Sequence, residues 1–140
     1  MRVKNIMSHN PVCCTADTAL DEAARMMHQH NCGALPVVDN LTFKKPLGMI
    51  TDRDIACRGI AQGKNTADLR VRDCMTNACV TVTPETSLHD CCLIMERNRI
   101  RRAPVVDESG ACCGVVSQAD VARHASYRET GELLREVSHI

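Results

Sequence analysis

Apolar side chains recur at Leu20, Ala23, Ala24 and Met27, and again at Leu88, Cys91, Cys92 and Met95. This i, i+3, i+4, i+7 spacing lays one buried stripe along a helix, so each stretch predicts an amphipathic helix. Thr18 and Thr86 stand just ahead of the stripes, where N-caps belong. Before each helix, Val12, Cys13, Cys14, Thr15 and Val80, Thr81, Val82, Thr83 predict a short strand, because β-branched side chains suit a pleated surface. After it, Ala34, Leu35, Pro36, Val37, Val38 and Ala103, Pro104, Val105, Val106 predict a second strand. Proline is expected there at a strand start or edge, since it has no N–H to give a ladder. Turn-forming Asp39 and Asn40, and Asp107, Glu108, Ser109 and Gly110, close a hairpin. The returning strands, Leu47, Gly48, Met49, Ile50 and Cys113, Gly114, Val115, Val116, run straight into a capped helix. The order is β-α-β-β-α, written twice, which places the chain in the α/β (α+β) class.

The duplication is explicit in the residues. A shift of 68 aligns residues 3–39 with 71–107 without a gap and superposes Pro36, Val37, Val38, Asp39 on Pro104, Val105, Val106, Asp107. After a two-residue length difference in the hairpin the shift becomes 66, and Gly48/Gly114, Asp54/Asp120 and Ala56/Ala122 fall into line. The implied organisation is a first repeat at 1–62, a polar linker at 63–70, a second repeat at 71–125 and a tail at 126–140. In the tail, Leu133, Leu134 and Val137 sketch a short amphipathic helix after Gly131. Two copies can close face to face about a pseudo-twofold axis, which would create two equivalent clefts.

Composition narrows the functions available. The 140 residues carry 17 Lys and Arg against 17 Asp and Glu, so no global field draws the chain to nucleic acid or an anionic membrane. There is no Trp, and Phe43 and Tyr127 are the only aromatics, which removes the stacking platforms of single-strand binders. No run of about eighteen apolar residues occurs and the first residues carry no export pattern, so a soluble cytoplasmic setting is expected. In that reducing setting the ten cysteines stay free thiols, and none are spaced C-x-x-C. Most serve as small buried apolar side chains, with a redox or metal role as the other possibility.

The chemistry concentrates at the strand-to-helix turn. Gly48, Met49, Ile50, Thr51, Asp52, Arg53, Asp54 and Gly114, Val115, Val116, Ser117, Gln118, Ala119, Asp120 share a pattern of Gly, two apolar residues, a hydroxyl, two variable residues and Asp. One reading is structural: Thr51 and Ser117 are N-caps and the acids complete capping boxes, worth about 1 kcal/mol each. The other is recognition of a nucleotide. Amides at the helix start and the hydroxyl hold phosphate while the carboxylate accepts from the ribose diol, the division of labour that dinucleotide folds also use.

These residues, with the paired openings Val3, Lys4, Met7, Ser8 and Val71, Arg72, Met75, Thr76, resemble the cystathionine β-synthase (CBS) domain, and the pair resembles a stand-alone bacterial-type Bateman module over about residues 3–125. The resemblance implies a sandwich of two repeats that binds AMP, ADP or ATP in the clefts between them and regulates a partner without catalysis. It requires no cofactor and implies a homodimer. It makes Asp54 and Asp120 the ribose acceptors and Thr51 and Ser117 the phosphate donors. It serves Asp120 with an apolar adenine slot at Ser8, Val12 and Cys32, and Asp54 with one at Thr76, Val80 and Ile100. The family's basic position before the P-V-V-D strand is Arg101 and Arg102 in the second repeat but Gly33 and Ala34 in the first, so tighter phosphate binding is expected at Asp120. The alternative for these arginines is a solvated basic face.

Other chemistry is poorly supported. Gly59 to Thr66 has three residues between its glycines where a P-loop has four, and it follows a helix. His28 and His30 are two apart, which on a helix does not aim both at one metal, and His9, His89, His124 and His139 are scattered. No nucleophile, base and orienting acid recur together, so the expectation is a non-enzyme with no bound metal. A thiol-based redox or metal sensor on the same scaffold is the main alternative, followed by a small enzyme and a purely structural dimerisation module.

Overall fold

A computed structural model describes residues 1–77 and 79–138; His139 and Ile140, with the tail's last histidine, lie outside the described residues. In chain order the elements are β1 (Ser8–His9), β2 (Cys14–Thr15), α1 (Leu20–Gln29), β3 (Ala34–Val38), β4 (Pro46–Thr51), α2 (Asp52–Asp54), α3 (Leu88–Asn98), β5 (Arg102–Val106), β6 (Cys112–Ser117), α4 (Gln118–Ala122) and α5 (Tyr127–Val137). They pack as two compact units that cut across the sequence repeats. One comprises Pro11–Cys79, here the Asp54 unit; the other joins Met1–Asn10 to Val80–Ile140, here the Asp120 unit. Each therefore holds the opening segment of the other repeat.

In the Asp54 unit, β2 runs parallel to β3 and β3 antiparallel to β4. The stripe on α1 buries Leu20, Ala23 and Met27 against Leu35, Val37 and Ile50 of the sheet. The opening of the second repeat completes this unit. Val71 and Arg72 donate their N–H groups to Thr18 O (2.9 Å) and Ala16 O (3.0 Å), and the Arg72 side chain pairs with Asp17. Val71, Cys74 and Met75 join the core.

The Asp120 unit repeats the plan with its own visitor. The order is β1-β6-β5, both pairings antiparallel, and Val82 makes a single parallel bridge to Val105 where the other unit has β2. Val3 N–H donates to Thr86 O at 2.9 Å, and Glu85 pairs with Arg2 (2.8 Å) and Lys4 (3.1 Å). Val3 and Ile6 enter a core with Leu88, Cys91, Met95, Val105 and Val116. The helix α5 starts at a Ser126 N-cap and contains Gly131, so it is longer than the tail pattern indicates, and it buries Leu133 and Val137 in the same core. This explains one difference between the helical stripes: Cys92 is buried in the cluster that α5 joins, whereas Ala24 of α1 is exposed.

Two local expectations are corrected. The helix N-caps are Ala19 and Ser87, one residue later than Thr18 and Thr86. The threonine hydroxyls instead accept from Thr15 N–H (3.0 Å) and Thr83 N–H (3.1 Å), closing the turn that leaves the strand. Pro36 lies in the middle of β3, a central strand, where β2 pairing begins only at the next residue, Val37. Its missing N–H thus leaves no ladder bond unmade.

Candidate functional site

Both strand-to-helix turns form reciprocal capping boxes. Thr51 N–H donates to Asp54 Oδ2 at 3.0 Å and Asp54 N–H donates to Thr51 Oγ1 at 3.1 Å. In the second turn, Ser117 N–H donates to Asp120 Oδ2 at 2.9 Å and Asp120 N–H to Ser117 Oγ at 3.2 Å. The structural role of the acids is therefore real, but it employs one carboxylate oxygen. Asp54 Oδ1 takes no hydrogen bond among the described residues, and Asp120 Oδ1 faces only Arg123, at 3.7 Å. Thr51 Oγ1 only accepts within its box, so its proton is free to be donated. Ser117 Oγ gives its proton to Asp120 Oδ2 at 3.0 Å.

The β register decides what surrounds each turn. In the Asp120 unit Arg102 is directly opposite Ser117, and Ser8 is opposite Val115. Side chains directly opposite share a face, as do residues two apart on one strand, so Ser8, Val115, Ser117 and Arg102 line one face of the β1-β6-β5 sheet. Arg101, one residue earlier, accepts Gln118 N–H on its carbonyl oxygen at 2.8 Å. Neither guanidinium has a hydrogen bond or ion pair among the described residues, and both side chains are half-buried. Asp120 is 8% exposed, the one buried charged residue described. Gln118 Oε1 is buried there without a donor, a state that costs about 1–3 kcal/mol until one arrives.

The Asp54 unit has the same construction with different side chains. Ala34 is opposite Thr51 and Thr76 bridges Met49, so Thr76, Met49, Thr51 and Ala34 share a face. Gly33 O accepts Asp52 N–H at 2.9 Å, in the place that Arg101 holds in the other unit. The openings approach so closely because of the glycines in the turn pattern: a Cβ on Gly48 would come within 2.0 Å of Thr76 O, and one on Gly114 within 2.8 Å of Ser8 O.

Ser8, Arg101, Arg102, Ser117 and Asp120 are thus assembled in one unit, and Thr76, Thr51 and Asp54 in the other. The remaining expected positions fall in the unit opposite to their acid. Val12 packs on the Asp54-unit core and Cys32 is exposed there; Val80 is half-buried and Ile100 packs on the Asp120-unit core. Pattern reading alone passed over Val115 and Met49, with Pro104 and Pro36 opposite them, as floor residues of the two faces. Period-two alternation from Ser117 and Thr51 is the signal that finds them.

No group of three or more His, Cys, Asp or Glu side chains among the described residues is placed to hold a metal ion. Burial pushes the Cys14 and Cys91 thiols up to about 12 and Cys92 up to about 11, away from the reactive thiolate form. Cys32 and Cys57 are exposed. No described helix is long and apolar enough to cross a membrane.

The CBS domain family matches residues 3–58 and 71–127, one match per repeat. The CBS domain-containing protein YhcV of Bacillus subtilis is 37% identical over 138 residues, covering 98% of this chain and 95% of that protein. Among solved structures, the CBS domain pair of protein MJ0100, in complex with 5′-methylthioadenosine and S-adenosyl-L-methionine, has a TM-score of 0.77 at 30% identity and covers 88% of this chain and 98% of that one. CBSX2 in complex with AMP has a TM-score of 0.74 at 25% identity, over 89% of this chain and 95% of that one.

Proposed function

The chain belongs to the CBS domain family, and from that premise we propose a non-catalytic regulatory module that binds AMP, ADP or ATP and passes ligand status to a protein partner, as a homodimer. Asp54 and Asp120 accept from the ribose diol through the oxygen that the capping box leaves uncommitted. The hydroxyls of Thr51 and Ser117 donate to the phosphate, and in the Asp120 unit Arg101 and Arg102 supply guanidinium forks for it. Thr51 can donate at once; Ser117 turns its proton from Asp120 to the ligand. Adenine lies against Ser8 beside Asp120 and against Thr76 beside Asp54.

The observation that carries this reading is the shared sheet face of Ser8, Ser117 and Arg102 beside a buried carboxylate, with two half-buried guanidinium groups lacking any partner among the described residues. Side chains left in that state gain most from an anionic ligand with a diol. AMP bound to CBSX2 and S-adenosyl-L-methionine bound to the MJ0100 pair supply the family precedent for an adenosine ligand. The test is direct. With no Trp and one Tyr the polypeptide absorbs weakly at 280 nm, so a co-purified nucleotide appears as a dominant 260 nm band, released on denaturation and identified by mass. Ligand-free protein is then titrated calorimetrically with AMP, ADP, ATP and GTP. Binding of adenine nucleotides that is lost on joint Asp54→Ala and Asp120→Ala substitution is expected; no heat with any of them, or unchanged affinity in the double variant, refutes the assignment.

A further inference from the structure

The hairpin between β3 and β4 ends in a tip, residues 39–47, unlike its counterpart in the second repeat. Leu41, Phe43 and Leu47 are 60%, 71% and 42% exposed there. The shift of 66 sets Phe43 on Ser109, Lys44 on Gly110 and Lys45 on Ala111, so the second hairpin carries neither the aromatic nor the two cations. The exposed side chains stand on a fixed backbone. Asn40 Oδ1 accepts Thr42 N–H (3.0 Å) and Phe43 N–H (2.7 Å), and Asp39 Oδ1 accepts Asn40 N–H (2.7 Å) and Lys45 N–H (2.9 Å). Lys44 N–H closes on Asn40 O at 2.9 Å. Lys44 takes φ +54°, a left-handed conformation that Gly110 adopts freely at +85° and that strains a lysine. Because the turn is already ordered, contact through it loses little chain entropy.

Charge and area decide what fits this tip. Asp39 is its one acid, against Lys44 and Lys45, and neither ammonium group has a hydrogen bond or ion pair among the described residues. A second copy seated tip to tip on a twofold axis would set those lysines against their own images. A protein pocket of ordinary interface size takes about 800 Å² from each partner, more than a nine-residue turn with three apolar side chains offers. A bilayer surface demands neither shape nor area: apolar side chains enter among the headgroups while ammonium groups stay level with anionic phosphates. We propose that this tip makes reversible contact with an anionic lipid surface, Phe43 and Leu41 entering the headgroup region and Lys44 and Lys45 meeting lipid phosphate. The balanced charge of the whole chain supplies no global attraction, so the contact is local and weak. None of these residues belongs to either strand-to-helix turn, and the contact is independent of the nucleotide assignment.

The experiment uses the full chain and its lack of Trp. Phe43→Trp places a single emission reporter at the tip, and Tyr127→Trp, at a position 98% exposed on α5, is the matched control. Each is titrated with vesicles of phosphatidylcholine alone and of phosphatidylcholine mixed with phosphatidylglycerol. Emission from Phe43→Trp is expected to shift to the blue with the mixed vesicles only, and emission from Tyr127→Trp to stay unmoved with both. Co-sedimentation of the unsubstituted chain with the mixed vesicles gives the partition coefficient. Lys44→Gly combined with Lys45→Ala should lower it about 25-fold, about 5-fold for each lysine, and Phe43→Ser should abolish pelleting. Because Lys44→Gly relieves the left-handed strain, its circular dichroism melt should fall no lower than the parent's, which separates lost lipid contact from lost folding. No blue shift with mixed vesicles, an equal shift with phosphatidylcholine alone or from Tyr127→Trp, or partitioning unchanged by the lysine pair overturns the proposal. Self-association in sedimentation velocity that Phe43→Ser removes, without vesicle binding, also overturns it and gives the tip to a second copy.

Discussion

Gly48→Ala tests the exchange of openings, the feature of the fold that brings Thr76 to Thr51 and Asp54. The added Cβ would stand 2.0 Å from Thr76 O, 2.9 Å from Met75 Cε and 3.1 Å from Thr76 C. The nearest of these is backbone, so no rotamer change relieves it, and the opening segment must withdraw by about 1.4 Å to reach an ordinary carbon–oxygen contact. That withdrawal loosens the reciprocal bonds Met49 N–H to Thr76 O (3.1 Å) and Thr76 N–H to Met49 O (2.9 Å). Two such bonds at about 1 kcal/mol each, plus the disturbed packing of buried Met75, give a cost of about 2–4 kcal/mol. For a chain of this length that corresponds to a Tm lower by roughly 6–16 °C. The matched control is Gly114→Ala, where the nearest atoms are Ser8 O and the flexible Met7 Sδ, both at 2.8 Å. A shift of about 0.6 Å serves there, less than half of that needed at Gly48, so about 1–2 kcal/mol is expected. Far-UV circular dichroism melts measure both, the lack of Trp ruling out its fluorescence as a probe. If Gly48→Ala melts within about 2 °C of the parent, or Gly114→Ala costs more than Gly48→Ala, the proposed packing of the openings is wrong.

Two further perturbations address the Asp120 unit. Leu133 of α5 is fully buried, so Leu133→Ala should cost about 2–4 kcal/mol through the cavity it leaves. Because Cys92 shares that cluster, labelling with a thiol reagent should change with it. The parent chain is expected to show two fast thiols, Cys32 and Cys57, and the variant to add Cys92; a variant in which Cys92 stays as slow as in the parent would show that α5 is not its cover. Glu96 lies on α3 with its carboxyl raised above the usual range by burial first and then by Glu132 and Glu136, partly offset by His89, with Glu129 adding least. An acid whose folded pKa is raised disfavours the fold when ionised. Glu96→Gln should therefore raise Tm at neutral pH, and the gain should shrink as pH falls through the raised folded value and vanish below the ordinary carboxylate range. A gain that persists unchanged at pH 3 would assign the effect to packing instead of charge.

Much of this molecule is written in short-range pattern. The stripes from Leu20 and Leu88, the P-V-V-D strands and the G-h-h-[T/S]-x-x-D turns are each set by contacts within a few residues, so periodicity and capping chemistry expose them. The same holds for the candidate site: Thr51 with Asp54 and Ser117 with Asp120 are three apart, the reach of a capping box. Where two local solutions were close in energy, the pattern misled by one residue. Thr18 and Thr86 can cap a helix or close the preceding turn; both close the turn, and the cap position falls to Ala19, which has no side chain to cap with, and to Ser87, which accepts from Asp90 N–H.

Long-range pairing lay beyond that reach. Ser8 and Thr76 belong to openings that find their partners in the other repeat's turn, at Val115 and Met49, and no local periodicity encodes a partner so distant in sequence. Likewise, whether Cys92 is buried and Ala24 exposed depends on α5, which covers one helix and not the other. The amino-acid sequence by itself determined the repeat, the element order and the chemical endowment of each turn, because those depend on local geometry. Only the tertiary structure decided which opening meets which turn, and set Arg102 opposite Ser117 while leaving Ala34 opposite Thr51, because strand register is fixed by the burial of whole faces.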